Sequence, residues 1–190
     1  MRKLNVIIQV LCVSLLLLAC TPKHQEERKI EPFTFTNQEG QAFGMNDLND
    51  TIWVANFIFT NCTTICQPMT AEMASLQRIF KEKDFNVEFI SFTVDPAIDK
   101  PDKLKSFMTD FSDDLSNWNL LTGYTQAEIE VFARDQFQTI VQKPASSTQV
   151  IHSSNFYLIG KDGYFVKEYN FVDATYVDEM ITDIQELMKN

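Results

Sequence analysis

Two apolar patterns alternate along the middle of the chain. TIWVANFIF, residues 51–59, is an unbroken run of β-branched and aromatic residues, the pattern of a strand covered on both faces. At Met69 it has given way to MTAEMASLQRIFKE, where Met69, Met73, Leu76 and Phe80 recur every three or four residues and line one face of a helix. NVEFISFTV, residues 86–94, predicts a second core strand, and Pro101 in the stretch that follows stands where a helix can begin. NWNLLTG suggests a strand edge and QAEIEVFARDQF, residues 126–137, another helix.

Hairpins frame this alternation. FTFTNQEGQAFGM, residues 33–45, has apolar residues on both sides of an NQEG turn. HSSNFYLIGKDGYFVKEY, residues 152–169, reads as strand, KDG turn and strand. The chain closes on a helical pattern with Val177, Ile181, Ile184 and Leu187 or Met188 on one face. Together these predict an α/β fold of three layers around a mixed central sheet, with an N-terminal β-hairpin.

The first residues follow another logic. Arg2 and Lys3 precede LNVIIQVLCVSLLLLAC, which is uncharged from Leu4 to Cys20 and reads as an export signal. Asn5 and Gln9 shorten its purely apolar part below the roughly 20 residues a membrane span needs. LLAC, residues 17–20, resembles the bacterial lipoprotein signal, which implies lipidation of Cys20; an uncut anchor with the same outward topology is the alternative. The expected organisation is a signal at 1–19, a polar flexible tether at 20–30 that starts with lipidated Cys20, and one folded domain at 31–190. The domain then stands at the cell membrane, lipid-anchored and facing the extracytoplasmic side.

Charge narrows the partners. The formal net charge of −10 becomes −12 once Arg2 and Lys3 are removed, which argues against nucleic acid. No glycine-rich phosphate loop is present either.

The cysteines carry the chemistry. Of four, Cys12 leaves with the signal and Cys20 takes lipid, so Cys62 and Cys66 of FTNCTTICQPMT are the free pair. They sit where a central strand passes into a helix, the place where open α/β sheets bind ligands and where helix N-terminal amides favour thiolate. On a regular helical turn their β-carbons would be about 5–6 Å apart, against about 3.5–4.5 Å in a disulfide. A disulfide closing so small a loop adds only about 2 kcal/mol. Two thiolates at this separation suit Cu(I). Of two histidines, His24 lies in the tether, whereas His152 heads a predicted strand and is the candidate third ligand. Cys62, Cys66 and His152 would offer thiolates to Cu(I) and an imidazole besides to Cu(II), without filling a closed tetrahedron. The same residues allow thiol–disulfide exchange, with Cys62 attacking, Cys66 resolving and His152 acting as base. Three residues separate the cysteines, one more than in a thioredoxin-type pair. Met69 and Met73 belong to the helix face and are expected in the core.

The spaced cysteines, the distal histidine in IHSSNFYLI and the aspartate-proline stretch SFTVDPAIDKPDKL, residues 91–104, together resemble the Sco/SenC family of copper-binding assembly proteins, over roughly residues 30–190. The resemblance implies a thioredoxin-like domain and copper held by Cys62, Cys66 and His152, with Asp95 in support near the metal. It also implies a partner, cytochrome c oxidase subunit II or its copper-site cysteines, and help in building that subunit's dinuclear copper centre. Copper delivery and reduction of the oxidase cysteines both occur among such proteins. Many members have proline directly after the second cysteine; here Gln67 stands there and Pro68 follows. A thiol–disulfide oxidoreductase acting on an exported partner and a tethered redox sensor are the alternatives.

Overall fold

The computed structural model describes residues 28–189. The signal, Cys20 and the tether up to residue 27 lie outside them. Among the described residues no helix is long and apolar enough to cross a membrane.

Among the described residues seven strands and four helices follow one another: β1 (Thr34–Thr36), β2 (Ala42–Gly44), β3 (Ile52–Ile58), α1 (Cys66–Glu82), β4 (Val87–Thr93), α2 (Pro101–Met108), β5 (Trp118–Leu121), α3 (Gln126–Phe137), β6 (Asn155–Ile159), β7 (Phe165–Asn170) and α4 (Tyr176–Leu187). A short 3-10 turn, Met45–Leu48, follows β2. The main sheet has the order β5-β4-β3-β6-β7; β3, β4 and β5 run parallel, and β6 and β7 are antiparallel additions. β3 is central, and all seven of its residues are buried, as its unbroken apolar run requires.

Side chains on the two faces of the sheet meet different helices. Phe80 of α1 stacks on Phe89, and Tyr176 of α4 packs on Phe156 of β6. On the opposite face Phe137 and Phe132 of α3 meet Phe57 and Phe92. With helices on both faces and a hairpin before the first core strand, the fold is thioredoxin-like α/β with a mixed sheet. One polar seam crosses the core, where Ser91 donates to Asn56 at 2.6 Å and the Trp118 indole donates to Ser91 at 3.0 Å. Each pair sits on adjacent strands, so the two hydroxyl- and indole-donated bonds link β3, β4 and β5, while the buried Asn56 Nδ2 has no partner of its own among the described residues.

The N-terminal segment pairs with one end of each edge strand of the main sheet. Arg28 and Ile30 exchange backbone hydrogen bonds with Phe165 and Gly163 at the start of β7, and Ile30 is buried. At the other edge Thr36 and Thr122 pair through their backbones at 2.9 and 2.8 Å. The Gln38 side chain extends that cover. Its amide donates to Trp118 O at 3.0 Å and accepts from the Leu120 N–H at 2.8 Å, in the manner of a peptide unit. An uncovered edge would expose a row of pairing groups.

Two local expectations shift. α1 begins at Cys66, three residues before the periodic pattern, because a proline in the first turn removes only an N–H that has no intrahelical acceptor. In α4 the buried residues are Tyr176, Met180 and Ile184, while Val177, Ile181 and Leu187 are half-buried and Met188 is exposed. The helix is rotated toward Tyr176, whose hydroxyl donates to Glu72 of α1 at 2.8 Å.

Candidate metal centre

β3 delivers the chain to the site. After Ile58, Phe59 is buried and Thr60 turns the backbone outward under the grip of Asp99. That buried carboxylate accepts the Thr60 N–H at 3.0 Å, the Thr60 hydroxyl at 2.5 Å and the Thr93 hydroxyl at 2.6 Å. Lys103 Nζ stands 3.8 Å from it. A carboxylate with this many donors fixes the loop in which Cys62 lies two residues later.

Cys62 lies in that loop and Cys66 in the first turn of α1. The N–H of Cys66 donates to Cys62 Sγ at 3.4 Å, so the sulfur takes one of the helix's unpaired N-terminal amides. The Thr64 hydroxyl stands 3.7 Å from the same sulfur. Burial pushes the Cys62 thiol up, but its hydrogen bonds to Cys66 and Thr64 outweigh this, and its pKa falls below the ordinary thiol value. Cys66 is the opposite case. It is fully buried, and burial together with its hydrogen bond to Cys62 raises its thiol well above the usual range. Both cysteines are free thiols.

His152 lies in the connection between α3 and β6, three residues before the strand rather than at its head. Its Nε2 stands 3.3 Å from Cys66 Sγ. Its Nδ1 is 2.8 Å from the carbonyl of Ser153, a pairing in which Nδ1 carries the proton and Nε2 presents its lone pair to the sulfurs. The Phe59 ring meets the imidazole edge-on at 5.6 Å between centroids and limits its rotation. Burial lowers the imidazole pKa, so it is neutral at pH 7.

The two sulfurs and an imidazole nitrogen lie within 4.8 Å of one another, the one converging group of three or more His, Cys, Asp or Glu among the described residues. With bond lengths of about 2.0–2.3 Å, donors around one ion lie no more than about 4.5 Å apart, so small side-chain adjustments suffice. Two thiolates and one imidazole suit a soft or borderline ion and leave a coordination position open.

Asp95 is buried in the turn after β4, and its carboxylate faces Lys143 Nζ at 2.6 Å. Met69 and Met73 are fully buried in the helix face. His24 and Cys20 lie outside the described residues. Sequence reasoning missed Thr60, Asp99, Phe59 and Lys143. Asp99 stands four residues after Asp95 in the same stretch, and nothing local separates a carboxylate that grips the cysteine loop from one that faces a lysine.

A thioredoxin-like domain with two thiols and an imidazole converging at the end of its central strand defines a thiol–imidazole metal-binding class. The SCO1/SenC family model matches residues 21–189, and the chain belongs to that family. A crystal structure of a SCO1/SenC family lipoprotein from Bacillus anthracis str. Ames is 46% identical, with TM-score 0.83, covering 88% of this chain and 99% of that one. BsSco, a member of the Sco family of cytochrome c oxidase assembly proteins in which a disulfide switch is identified, is 47% identical with TM-score 0.79 over 86% of this chain and 95% of its own. Yeast Sco1 with copper bound is 25% identical with TM-score 0.68, over 83% of this chain and 89% of its own.

Proposed function

We infer that this chain is a membrane-tethered, extracytoplasmic copper-binding protein that assists assembly of the dinuclear copper centre of cytochrome c oxidase subunit II. The observation that carries this is the convergence of Cys62, Cys66 and His152 donor atoms within 4.8 Å. Copper in yeast Sco1 and the oxidase-assembly role of the BsSco family support the metal and the partner. Cys62 and Cys66 bind Cu(I) as thiolates, and the neutral His152 completes the set for Cu(II).

The anchor reading rests on LLAC at residues 17–20 and is supported by the lipoprotein from Bacillus anthracis. Arg28 enters the domain beside the β6–β7 turn, at the end of the sheet opposite the cysteines. The seven residues between Cys20 and Arg28 span at most about 25 Å, so an anchored domain directs its site away from the lipid surface, toward a partner's exposed domain.

Titration of the reduced protein with Cu(I) and Cu(II), repeated on His152→Ala, tests the site. Loss of Cu(II) affinity and of the nitrogen hyperfine signal in the variant is expected, and an unchanged Cu(II) spectrum overturns histidine ligation. Oxidase activity of a deletion strain, with and without added copper, tests the role; a strain whose oxidase is unaffected in both conditions overturns it.

The asymmetry of the two thiols favours a second reading, thiol–disulfide exchange. Cys62 thiolate attacks a partner disulfide, releasing one partner thiolate and forming a mixed disulfide. Cys66 passes its proton to His152 Nε2, 3.3 Å away, and its sulfur attacks Cys62 Sγ, releasing the second partner thiol. The partner gains two electrons and the Cys62–Cys66 pair is oxidised to a disulfide. Trapping of a mixed disulfide by Cys66→Ser checks it; failure to trap with an oxidised copper-site peptide removes it.

A further inference from the structure

His152 reaches the cysteines on a long connection, residues 138–154, between α3 and β6. Most of that chain has no regular structure, so the position of the imidazole depends on a few anchors. Gln142 and Ile151 exchange two backbone hydrogen bonds of 2.9 Å each, which joins the two limbs of the connection into a narrow ribbon. Ile151 immediately precedes His152, and Lys143 immediately follows Gln142. Val141 and Val150, buried next to Gln142 and Ile151, seat the two limbs in the core, and the side-chain contacts of Lys143 add a lateral hold at the rung beside His152.

Lys143 is held twice. Its N–H donates to Glu130 Oε1 on α3 at 3.0 Å, and its Nζ stands 2.6 Å from Asp95 Oδ1. The Asp95 side chain is only 3% exposed, which separates this pair from the solvent-screened ion pairs elsewhere on the surface. Asp95 in turn belongs to the turn that shapes the cysteine loop. Its carbonyl accepts the N–H groups of Ile98 and Asp99, and the Asp99 carboxylate grips Thr60, two residues before Cys62. A continuous series of contacts thus runs from the cysteines through Asp99, Asp95 and Lys143 to His152 without passing through the site. Besides the contacts of His152 itself with Phe59 and Cys66, the ribbon meets the cysteine loop where Gln149 Nε2 donates to Asn61 O at 3.2 Å, and that bond is solvent-exposed.

We propose that Lys143 is a positioning residue for the metal centre: its ion pair with the buried carboxylate of Asp95 sets the separation between the His152 imidazole and the sulfurs of Cys62 and Cys66. This rests on the metal-site reading above. The cysteines are placed by α1 and Asp99 and do not depend on the latch. Losing Lys143 leaves an uncompensated carboxylate under the ribbon and loosens the histidine limb, which then rests on Val150, Phe59 and the Ser153 carbonyl, while the two thiols keep their geometry.

The test compares Lys143→Met, Lys143→Arg and His152→Ala with the unaltered protein. Lys143→Met is expected to weaken Cu(II) binding about tenfold or more, the size seen when a ligand's support is removed. It should also reduce the nitrogen hyperfine signal, while Cu(I) affinity, carried by the thiolates, changes far less. Lys143→Arg restores Cu(II) binding. In the metal-free protein, native-state hydrogen exchange should show faster exchange at Gln142 and Ile151 in Lys143→Met, with α1 amides unchanged. If Lys143→Met does not fold, the same comparison is read on Lys143→Gln. Wild-type Cu(II) affinity and hyperfine pattern in the lysine variant, alongside weakened binding in His152→Ala, overturns the latch and leaves the metal site standing. Unchanged Cu(II) binding in His152→Ala overturns the metal-site reading, and the latch with it.

Discussion

Nε2 of His152 stands 3.3 Å from Sγ of Cys66, although 86 positions separate the two residues in the chain. The imidazole is turned there by the Ser153 carbonyl, which accepts a hydrogen bond from Nδ1–H at 2.8 Å, and by the ring of Phe59. A neutral ring nitrogen beside a buried thiol serves both as a ligand and as a proton acceptor, so one geometry supports metal binding and thiol exchange.

The two thiols should react at very different rates. With its pKa held below the ordinary thiol value by the hydrogen bonds from Cys66 and Thr64, Cys62 has the larger thiolate fraction at pH 7. Cys66, fully buried and shifted upward, stays protonated. Alkylation of the reduced, metal-free protein followed by peptide mass analysis should label Cys62 first. In Cys66→Ser the rate should level off at lower pH than for a free thiol. Equal labelling of both cysteines at pH 7 contradicts the assignment.

Copper affinity should rise with pH. Cys66 must lose its proton to bind, and Cys62 loses whatever fraction of a proton it still carries, whereas His152, its pKa lowered by burial, is already neutral above pH 6.5. Each released proton adds about one logarithmic unit of affinity per pH unit. Chelator competition between pH 6.5 and 8 should therefore give a slope between about one and two for Cu(I). A flat profile would mean that neither thiol is deprotonated on binding.

Asp99→Asn should cost stability and disturb the site together. The amide puts a donor where the carboxylate accepts from Thr60 and Thr93, leaving buried hydroxyl or amide groups unpaired. A loss of about 2–3 kcal/mol is expected, seen as a lower urea midpoint at unchanged slope. Copper affinity should fall as well, because the Cys62 loop loses its anchor.

Gln38→Ala should separate stability from function. It leaves Trp118 O and the Leu120 N–H without their partner at a buried edge, at a cost of about 2–4 kcal/mol. β5 lies two strands from β3, so the copper spectrum of the folded variant should match that of the unaltered protein. A changed spectrum would show that the edge and the site are coupled.

The elements were legible because burial leaves a local periodic trace. The run at 51–59 became β3 at Ile52–Ile58, the run at 86–94 became β4 at Val87–Thr93, and the helix at 126–137 matches α3. The α1 start was missed because its first turn, CQPM, buries Cys66 and Met69 but carries too few apolar residues to show a period. The α4 face was misjudged because Tyr176 and Met180 are buried in place of Val177, Ile181 and Leu187, the half-buried aliphatic residues that the pattern favoured.

From the amino-acid order alone follow the α/β layering, the two cysteines at the strand-to-helix junction and a single histidine available beyond the tether, since each is a matter of spacing or count. Tertiary structure decided which distant groups meet: His152 with Cys66, Asp99 with Thr60, Lys143 with Asp95, Gln38 with the edge of β5. Periodicity records that a residue is buried and on which face. A hydrogen bond between side chains tens of residues apart depends on direction and distance to one partner, and that information exists only once the strands and loops have been placed.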